Sequence, residues 1–323
     1  MNHTHFFRRR FGLVAAAIFV AAGIGVAALC ARPAMAQGSR RPVYVPPNGF
    51  WNMPNLKRSQ LYGPTRPDAN WAIAAWSIPE DLPAFDRSGV AQNQWARVAW
   101  LGGGRYELSQ NGAELPCLRT FPSGRSLVNE FDLFASPINK NEPNFPQAVA
   151  DNHEALAGLS AIDAGIQLTI EQAEQVDQAC SKSQSTFMFA VVLSNKTMKQ
   201  FLFYQLRLAQ FSGGGGGLRS GEARPAWYFT GNNLQSGASG QWGYGDNITS
   251  FGQPWARTGV QQRYDVDLLP RLRDLIQDGA RYGLDQDLGH WQVTGTYHGQ
   301  NVTGHIRNKA LWSDFSLSTT ASR

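Results

Sequence analysis

From Trp71 to the C-terminus the apolar residues come in short runs broken by Gly, Pro and Asn, as in residues 95–100, 126–134 and 186–193. That texture predicts many short strands, hence a mostly β chain folded as a sandwich or barrel. Alternation is clearest from Gln200 to Leu208. Leu202, Tyr204, Leu206 and Leu208 fall on one strand face, and Phe201, Phe203, Gln205 and Arg207 on the other. The first face is expected to be core. The second mixes aromatic and hydrogen-bonding groups, which suits a groove or a packed face under a loop. Helical spacing is rare: Leu268, Leu272, Leu275 and Ile276 recur at it, with Asp267 to cap, Pro270 in the first turn, and Gly279 or Gly283 to end it. Alanines over residues 146–159 suggest a second short helix, and residues 165–178 read either as a strand or as a Glu- and Gln-rich helix. The run Ser212–Gly217 lacks a following Gly-Lys-Ser/Thr, so it is a flexible loop and not a phosphate cradle.

The N-terminus has a different pattern. A basic head, Arg8, Arg9 and Arg10, precedes an apolar run from about Leu13 to Leu29, and Ala34, Met35 and Ala36 stand before Gln37. This is the layout of a secretory leader over residues 1–36 with A-x-A cleavage, which directs the chain to a periplasmic or secreted location. Arg8 to Phe11 also resembles the bacterial twin-arginine signal. An uncleaved anchor, the one route to membrane association, and a lipoprotein linked at Cys30 stay open. Residues 37–70 carry Pro42, Pro46, Pro47, Pro54, Pro64 and Pro67, too many for a helix or central strand, and predict an extended arm before a domain over residues 71–323.

Charge narrows the partners. Of 29 Lys and Arg, four (Arg8, Arg9, Arg10 and Arg32) lie in the leader, leaving 25 against 24 Asp and Glu. So balanced a chain lacks the basic footprint of nucleic-acid binding. Once Cys30 leaves with the leader, Cys117 and Cys180 remain as an even pair in an oxidising compartment and are expected to form a disulfide. Two separate buried thiols are the alternative.

Candidate chemistry concentrates in two places. Between Trp227 and Trp255 the chain packs Trp227, Tyr228, Phe229, Trp242, Tyr244, Phe251 and Trp255 among Asn232, Asn233, Gln235, Gln241, Asp246 and Asn247. Sugars suit that mixture, because their C–H faces lie on aromatic rings and their hydroxyls need amides and carboxylates. The same rings could instead be the core of a sandwich. In Glu130-Phe131-Asp132, strand alternation puts both carboxylates on one face. Paired acids are the machinery of glycoside hydrolysis, although a solvated outer face gives the same pattern. Asp246 is a further acid that could join them.

Other signatures are weak. His153-Glu154 has no second His four positions on, and Gly237–Gly240 lacks a nucleophile elbow's spacing. His290, His298 and His305 would form a site only if strands bring them together. Asn-x-Thr triplets at Asn195, Asn247 and Asn301 carry no glycan meaning behind a bacterial-type leader. No metal or cofactor is expected.

Glu130 to Asp132 resembles the start of the Glu-x-Asp-x-x-Glu strand of laminarinase-type glucanases, with Ala135 in place of the last Glu. Residues 291–300, Gly304 and residues 312–317 resemble the closing strands of concanavalin A-like jelly rolls, where family-12-type glucanases carry a Gly-Thr-Glu acid; here Gly299 is followed by Gln300. The resemblance implies a jelly-roll-like sandwich with one or two short helices, without the late acid. The reading is an exported carbohydrate-binding protein that recognises a polysaccharide or envelope glycan. A glycoside hydrolase or polysaccharide lyase using Glu130, Asp132 and Asp246 is the second reading, and a non-enzymatic envelope structural or assembly protein the third.

Overall fold

The computed structural model describes residues 39–53, 62–113, 115–120, 126–128, 130–138, 154–177, 180, 183–214, 217–220, 224–229 and 241–322. The expected leader, Asn232 and most of the helix expected at 146–159 lie outside them. In chain order the strands are β1 (Arg40–Tyr44), β2 (Phe50–Met53), β3 (Trp71–Trp76), β4 (Val90–Gln92), β5 (Ala96–Gly102) and β6 (Arg105–Asn111). Then follow β7 (Leu118–Thr120), β8 (Ser126–Val128), β9 (Glu130–Pro137), β10 (Leu159–Gln175), β11 (Gln184–Asn195) and β12 (Gln200–Gly214). The last six are β13 (Gly217–Ser220), β14 (Ala226–Phe229), β15 (Gln241–Asn247), β16 (Gln261–Asp267), β17 (Trp291–Thr303) and β18 (Ile306–Ala321).

Two large sheets form a sandwich, as the strand-rich pattern requires. One runs β16-β10-β18-β6-β5-β4 with β1 beside β18; the other runs β14-β15-β12-β11-β17-β9-β3-β2 with β13 beside β12. Each strand delivers alternate residues to the shared core. In β12, Leu202, Tyr204, Leu206 and Leu208 are buried while Phe201, Phe203, Gln205 and Arg207 are half-exposed, so the alternation of the sequence is realised. Trp71, Phe189, Trp312 and Phe315 fill the centre.

A seam of buried amides crosses this core. Gln300 Nε2 donates to Leu108 O at 3.1 Å and to Asn308 Oδ1 at 2.7 Å, and Trp312 Nε1 donates to Gln300 Oε1 at 3.3 Å. Asn308 Nδ2 donates to Ser185 Oγ at 2.9 Å and to Asn301 O at 3.2 Å, and Gln110 Nε2 donates to Phe131 O at 3.0 Å. Buried amides of this kind are stable only when partnered, and here the partners belong to both sheets. His298 joins them: it is wholly buried, hydrogen-bonded to Tyr106, and held neutral because burial drives its pKa down to about 3.

Several elements differ from the sequence expectation. Residues 165–175, read as strand or helix, belong to the long strand β10, whose Ile166, Leu168 and Ile170 point inward while Gln167, Thr169 and Glu171 point out. Pairing on both sides with β16 and β18 outweighs the helical preference of its Glu and Gln. Of the helix expected at 146–159, the described end is a single 3-10 turn, Leu156–Gly158, that feeds β10. The Pro-rich segment contributes β1 and β2, both at sheet margins where the missing N–H of Pro42 is tolerated. Ser212–Gly214 and Gly217 pair across β12 and β13, so the described part of the glycine run is hairpin.

The expected helix at residues 268–276 is α1 (Leu269–Asp278), with Leu272, Leu275 and Ile276 buried. Asp267 Oδ1 accepts from Leu269 N at 3.0 Å, and Gly283, at φ 84°, ends the 3-10 turn that extends it. Among the described residues no helix is long and apolar enough to cross a membrane.

Cys117 and Cys180 are joined by a disulfide across a sequence separation of 63. Loop-closure entropy puts its contribution near 4 kcal/mol at most. Peptide mapping without reductant is expected to recover this cross-link, and the Cys117→Ser, Cys180→Ser double variant to lose about 2–4 kcal/mol in denaturant unfolding. Two free thiols, or unchanged stability, would contradict it.

Candidate functional site

The outer face of the nine-stranded sheet gathers the chemistry. On β9, Phe131, Leu133 and Ala135 are buried in the core, so Glu130, Asp132 and Phe134 take the opposite face. Neighbouring strands add to it through their register. Asp132 pairs with Trp76 of β3 and Asn301 of β17, and Gly299 of β17 lies beside Phe134. Farther across, Ala190 of β11 stands between Tyr297 and Gln205, and its small side chain lets Gln205 Nε2 reach over it to the Tyr297 hydroxyl at 2.7 Å. Rings run along the same face, with Trp76 6.1 Å from Phe134 and Phe134 5.0 Å from Tyr297 between centroids.

Two glycines make room for larger neighbours on the far side. In β15, Trp242, Tyr244 and Asp246 share the core side with Leu202, Tyr204 and Leu206, which leaves Gly243 and Gly245 on the outer face. The Tyr228 ring lies where a side chain at Gly243 would be, its Cζ 2.1 Å from the position of a Cβ. Arg207 occupies the space over Gly245 in the same way, Nη2 again at 2.1 Å, and its Nη1 donates to Asn247 Oδ1 at 3.0 Å.

Burial first, then the charges of Tyr297, Asp132 and Glu130 against that of Arg207, push the Tyr228 phenol far up.

The acids lie on this outer face. Glu130 is exposed and Asp132 is half-buried, but protein surrounds both closely enough that burial raises their pKa values, Asp132 well above the usual carboxylate range. The charge of Glu130 raises Asp132 further, whereas hydrogen bonding from Asn301 opposes both shifts. Asn301 Nδ2 donates to Glu130 Oε1 at 3.0 Å, and Asn301 Oδ1 is buried with no hydrogen-bond partner. A pair of this type holds a proton where an isolated carboxyl would have lost it.

The other expected site residues are dispersed. Tyr228 and Gln241 fall on the face of the acids, Gln241 paired with Phe201. Trp227, Trp242 and Tyr244 fall on the opposite face, where Trp227 lies 5.2 Å from Tyr244 and donates to Asp278 Oδ2 at 2.8 Å, and Trp242 lies 5.0 Å from Tyr282. Trp255 packs half-buried against the core. Asp246 is a correction: it is wholly buried on the core side, away from Glu130 and Asp132, and is bound by Arg271 Nε at 2.7 Å, Ser250 Oγ at 2.7 Å and Tyr204 OH at 3.1 Å. The cause is strand parity, which turns the carboxylate inward between two outward glycines.

Parity also decides the two positions compared with glucanase acids. Gln300 points into the amide seam, and its neighbour Asn301 reaches Glu130 instead. Ala135 points into the core, and because β9 pairs on both sides without a register shift, an acid there could not join Glu130 and Asp132. The histidines do not meet: His290 binds Asp285 at 2.6 Å, His305 binds Asp177 at 2.8 Å, and His298 is core. Among the described residues no cluster is suited to a metal ion. Asn195, Asn247 and Asn301 are all buried. Trp76, Tyr297 and Asn301 were missed as site residues, and their only sequence signal is strand alternation around the acid pair.

No protein-family model matches the chain, and no curated protein matches it. Among solved structures it is similar to the xyloglucanase domain of NopAA, a type three effector from Sinorhizobium fredii in complex with cellobiose (10% identity, 76% of this chain and 98% of that one, TM-score 0.39). It is also similar to the family 11 xylanase from Neocallimastix patriciarum (10% identity, 77% and 92% covered, TM-score 0.40). A third is the native family 12 xyloglucanase from Bacillus licheniformis (11% identity, 76% and 100% covered, TM-score 0.37).

Two outcomes follow from the electrostatics. Because the folded pKa of Asp132 is raised, the native state keeps a proton that the unfolded chain releases, and stability is lost as pH climbs from the unfolded value through the folded one. Asp132→Asn is therefore expected to melt higher than the parent at pH 7 and to lose that advantage below about pH 4, as calorimetry can check. Asp246→Ala, by contrast, strands Arg271 and two hydroxyls and is expected to cost about 3 kcal/mol in urea unfolding. An unchanged midpoint would deny the network its structural role.

Proposed function

We propose that the outer face of the nine-stranded sheet forms a groove that binds a polysaccharide, with Glu130 and Asp132 at its centre. One observation carries this reading: Trp76 and Asn301 flank Asp132, and Phe134, Tyr297 and Gln205 continue the same sheet face. Aromatic rings supply flat surfaces for the C–H faces of sugars, and the amides and phenol supply donors and acceptors for hydroxyls. Trp76, 39% exposed, is the ring most open to stacking. The orphaned Asn301 Oδ1 is an acceptor that a ligand hydroxyl can satisfy. The leader at residues 1–36 and the Cys117–Cys180 bond support export to the periplasm or beyond.

A second reading, hydrolysis, is favoured by the raised pKa values of the acid pair. A carboxyl whose pKa is raised is better placed to donate a proton to a leaving glycosidic oxygen while its ionised neighbour activates water.

Affinity electrophoresis through gels containing xyloglucan, xylan, β-glucan or acidic polysaccharides tests binding. Retardation on at least one polymer, weakened roughly threefold to tenfold by Trp76→Ala, is the expected result. Release of reducing ends, lost by at least about a hundredfold in Glu130→Gln and Asp132→Asn while retardation persists, would establish hydrolysis. No retardation on any polymer would refute the proposal.

A further inference from the structure

We propose that Asn301 is the positioning residue of the acid pair: its amide holds Glu130 in the ionised form and so leaves Asp132 as the carboxyl that carries the proton. The division of catalytic labour that follows rests on the hydrolysis reading above, whereas the order of protonation does not. Register puts the amide in place. Asn301 of β17 stands directly opposite Asp132 of β9, and Glu130, two positions along, is opposite Thr303, so one side chain can serve both acids. Asn301 Nδ2 donates to Glu130 Oε1 at 3.0 Å. The residue is only 8% exposed, its strand is paired with β9 and β11 on either side, and its carbonyl accepts from Asn308 Nδ2 at 3.2 Å. The donor is thus fixed by the backbone, independently of the acids it meets.

Little else on this face favours a negative charge. Among the described residues no Lys or Arg acts on either acid, and the one influence that lowers them is hydrogen bonding from Asn301. The flanking strands present Trp76 from β3 opposite Asp132 and Thr186 from β11 opposite Asn301, neither of which titrates. The ionisable neighbours are the phenols of Tyr297 and Tyr228, which burial above all keeps protonated while carboxyls titrate. An N–H donor gains most from an acceptor that is ionised. At Glu130 this bond is the one influence that offsets burial. At Asp132 burial comes first, the charge of Glu130 second and the amide only third, so an ionised Glu130 keeps the proton on its neighbour. Hydrolysis needs such an unequal pair. Asp132 would give its proton to the leaving glycosidic oxygen as that bond breaks, and Glu130 would take one from the water whose oxygen forms the new bond.

The test is a carboxyl-carbon NMR titration of the selectively labelled full chain, with Glu130→Gln and Asp132→Asn to identify the two signals. In the parent, Glu130 is expected to ionise at lower pH than Asp132. Asn301→Ala removes the donor, which disfavours the carboxylate, so the Glu130 midpoint is expected to rise by about one pH unit and that of Asp132 to move less. Asn301→Gln, which keeps an amide, is expected to fall between, and it carries the comparison with Asn301→Ser should Asn301→Ala fail to fold. A Glu130 midpoint that stays in place, or an Asp132 that ionises first in the parent, overturns the inference. Where a polymer is cleaved, the acidic limb of the pH–rate profile is expected to follow the Glu130 midpoint upward in Asn301→Ala. A limb that stays fixed overturns the assignment of Glu130 as the base. Cleavage of no polymer overturns the hydrolysis reading alone, and the two midpoints still decide the role of Asn301.

Discussion

The amide seam between the sheets is the interaction on which the rest depends. Gln300, Asn308 and Gln110 bond to one another's strands at buried positions, and each bond can form in one register only. A slip of one residue would carry Gln300 outward and Asn301 inward, reversing every side chain on β17. Two of the seam's acceptors are the carbonyls of Phe131 and Asn301, so it holds the backbone from which Asp132, Glu130 and the Asn301 amide project. Polar groups that add little net stability thus specify which face of the sheet meets solvent.

Much of the architecture was legible because it follows from a period of two. The alternation in β12, the common face of Glu130 and Asp132, the Cys117–Cys180 pair and the helix after Asp267 all rest on local pattern or on elimination. The aromatic segment from Trp227 to Trp255 was misjudged as one surface because composition ignores parity. Adjacent Trp227 and Tyr228 point to opposite sides of the same sheet, as do Trp242 and Gly243. Gln300 and Asn301 differ for the same reason, and neither neighbour carries a local mark of its direction. β10 was obscure because its Glu and Gln favour a helix, and only pairing with two partners resolves it. Trp76, a lone ring at a strand end, is recognisable only once β3 is seen beside β9.

The outer face divides its chemistry by electrostatics. At one side two carboxyls influence each other's titration, with Asn301 hydrogen-bonded to both. Farther across the sheet the Arg207 guanidinium lies over Gly245 and donates to Asn247. Between them the Gln205 amide donates to the Tyr297 hydroxyl above Ala190.

Gly243 and Gly245 constrain that surface unequally. A carbon added at Gly243 would displace the Tyr228 ring, whereas one added at Gly245 would meet the end of the flexible Arg207 side chain, which can swing aside. Drift through alanine or serine is therefore resisted at the first glycine and tolerated at the second, so the two neighbours of β15 would age differently under mutation.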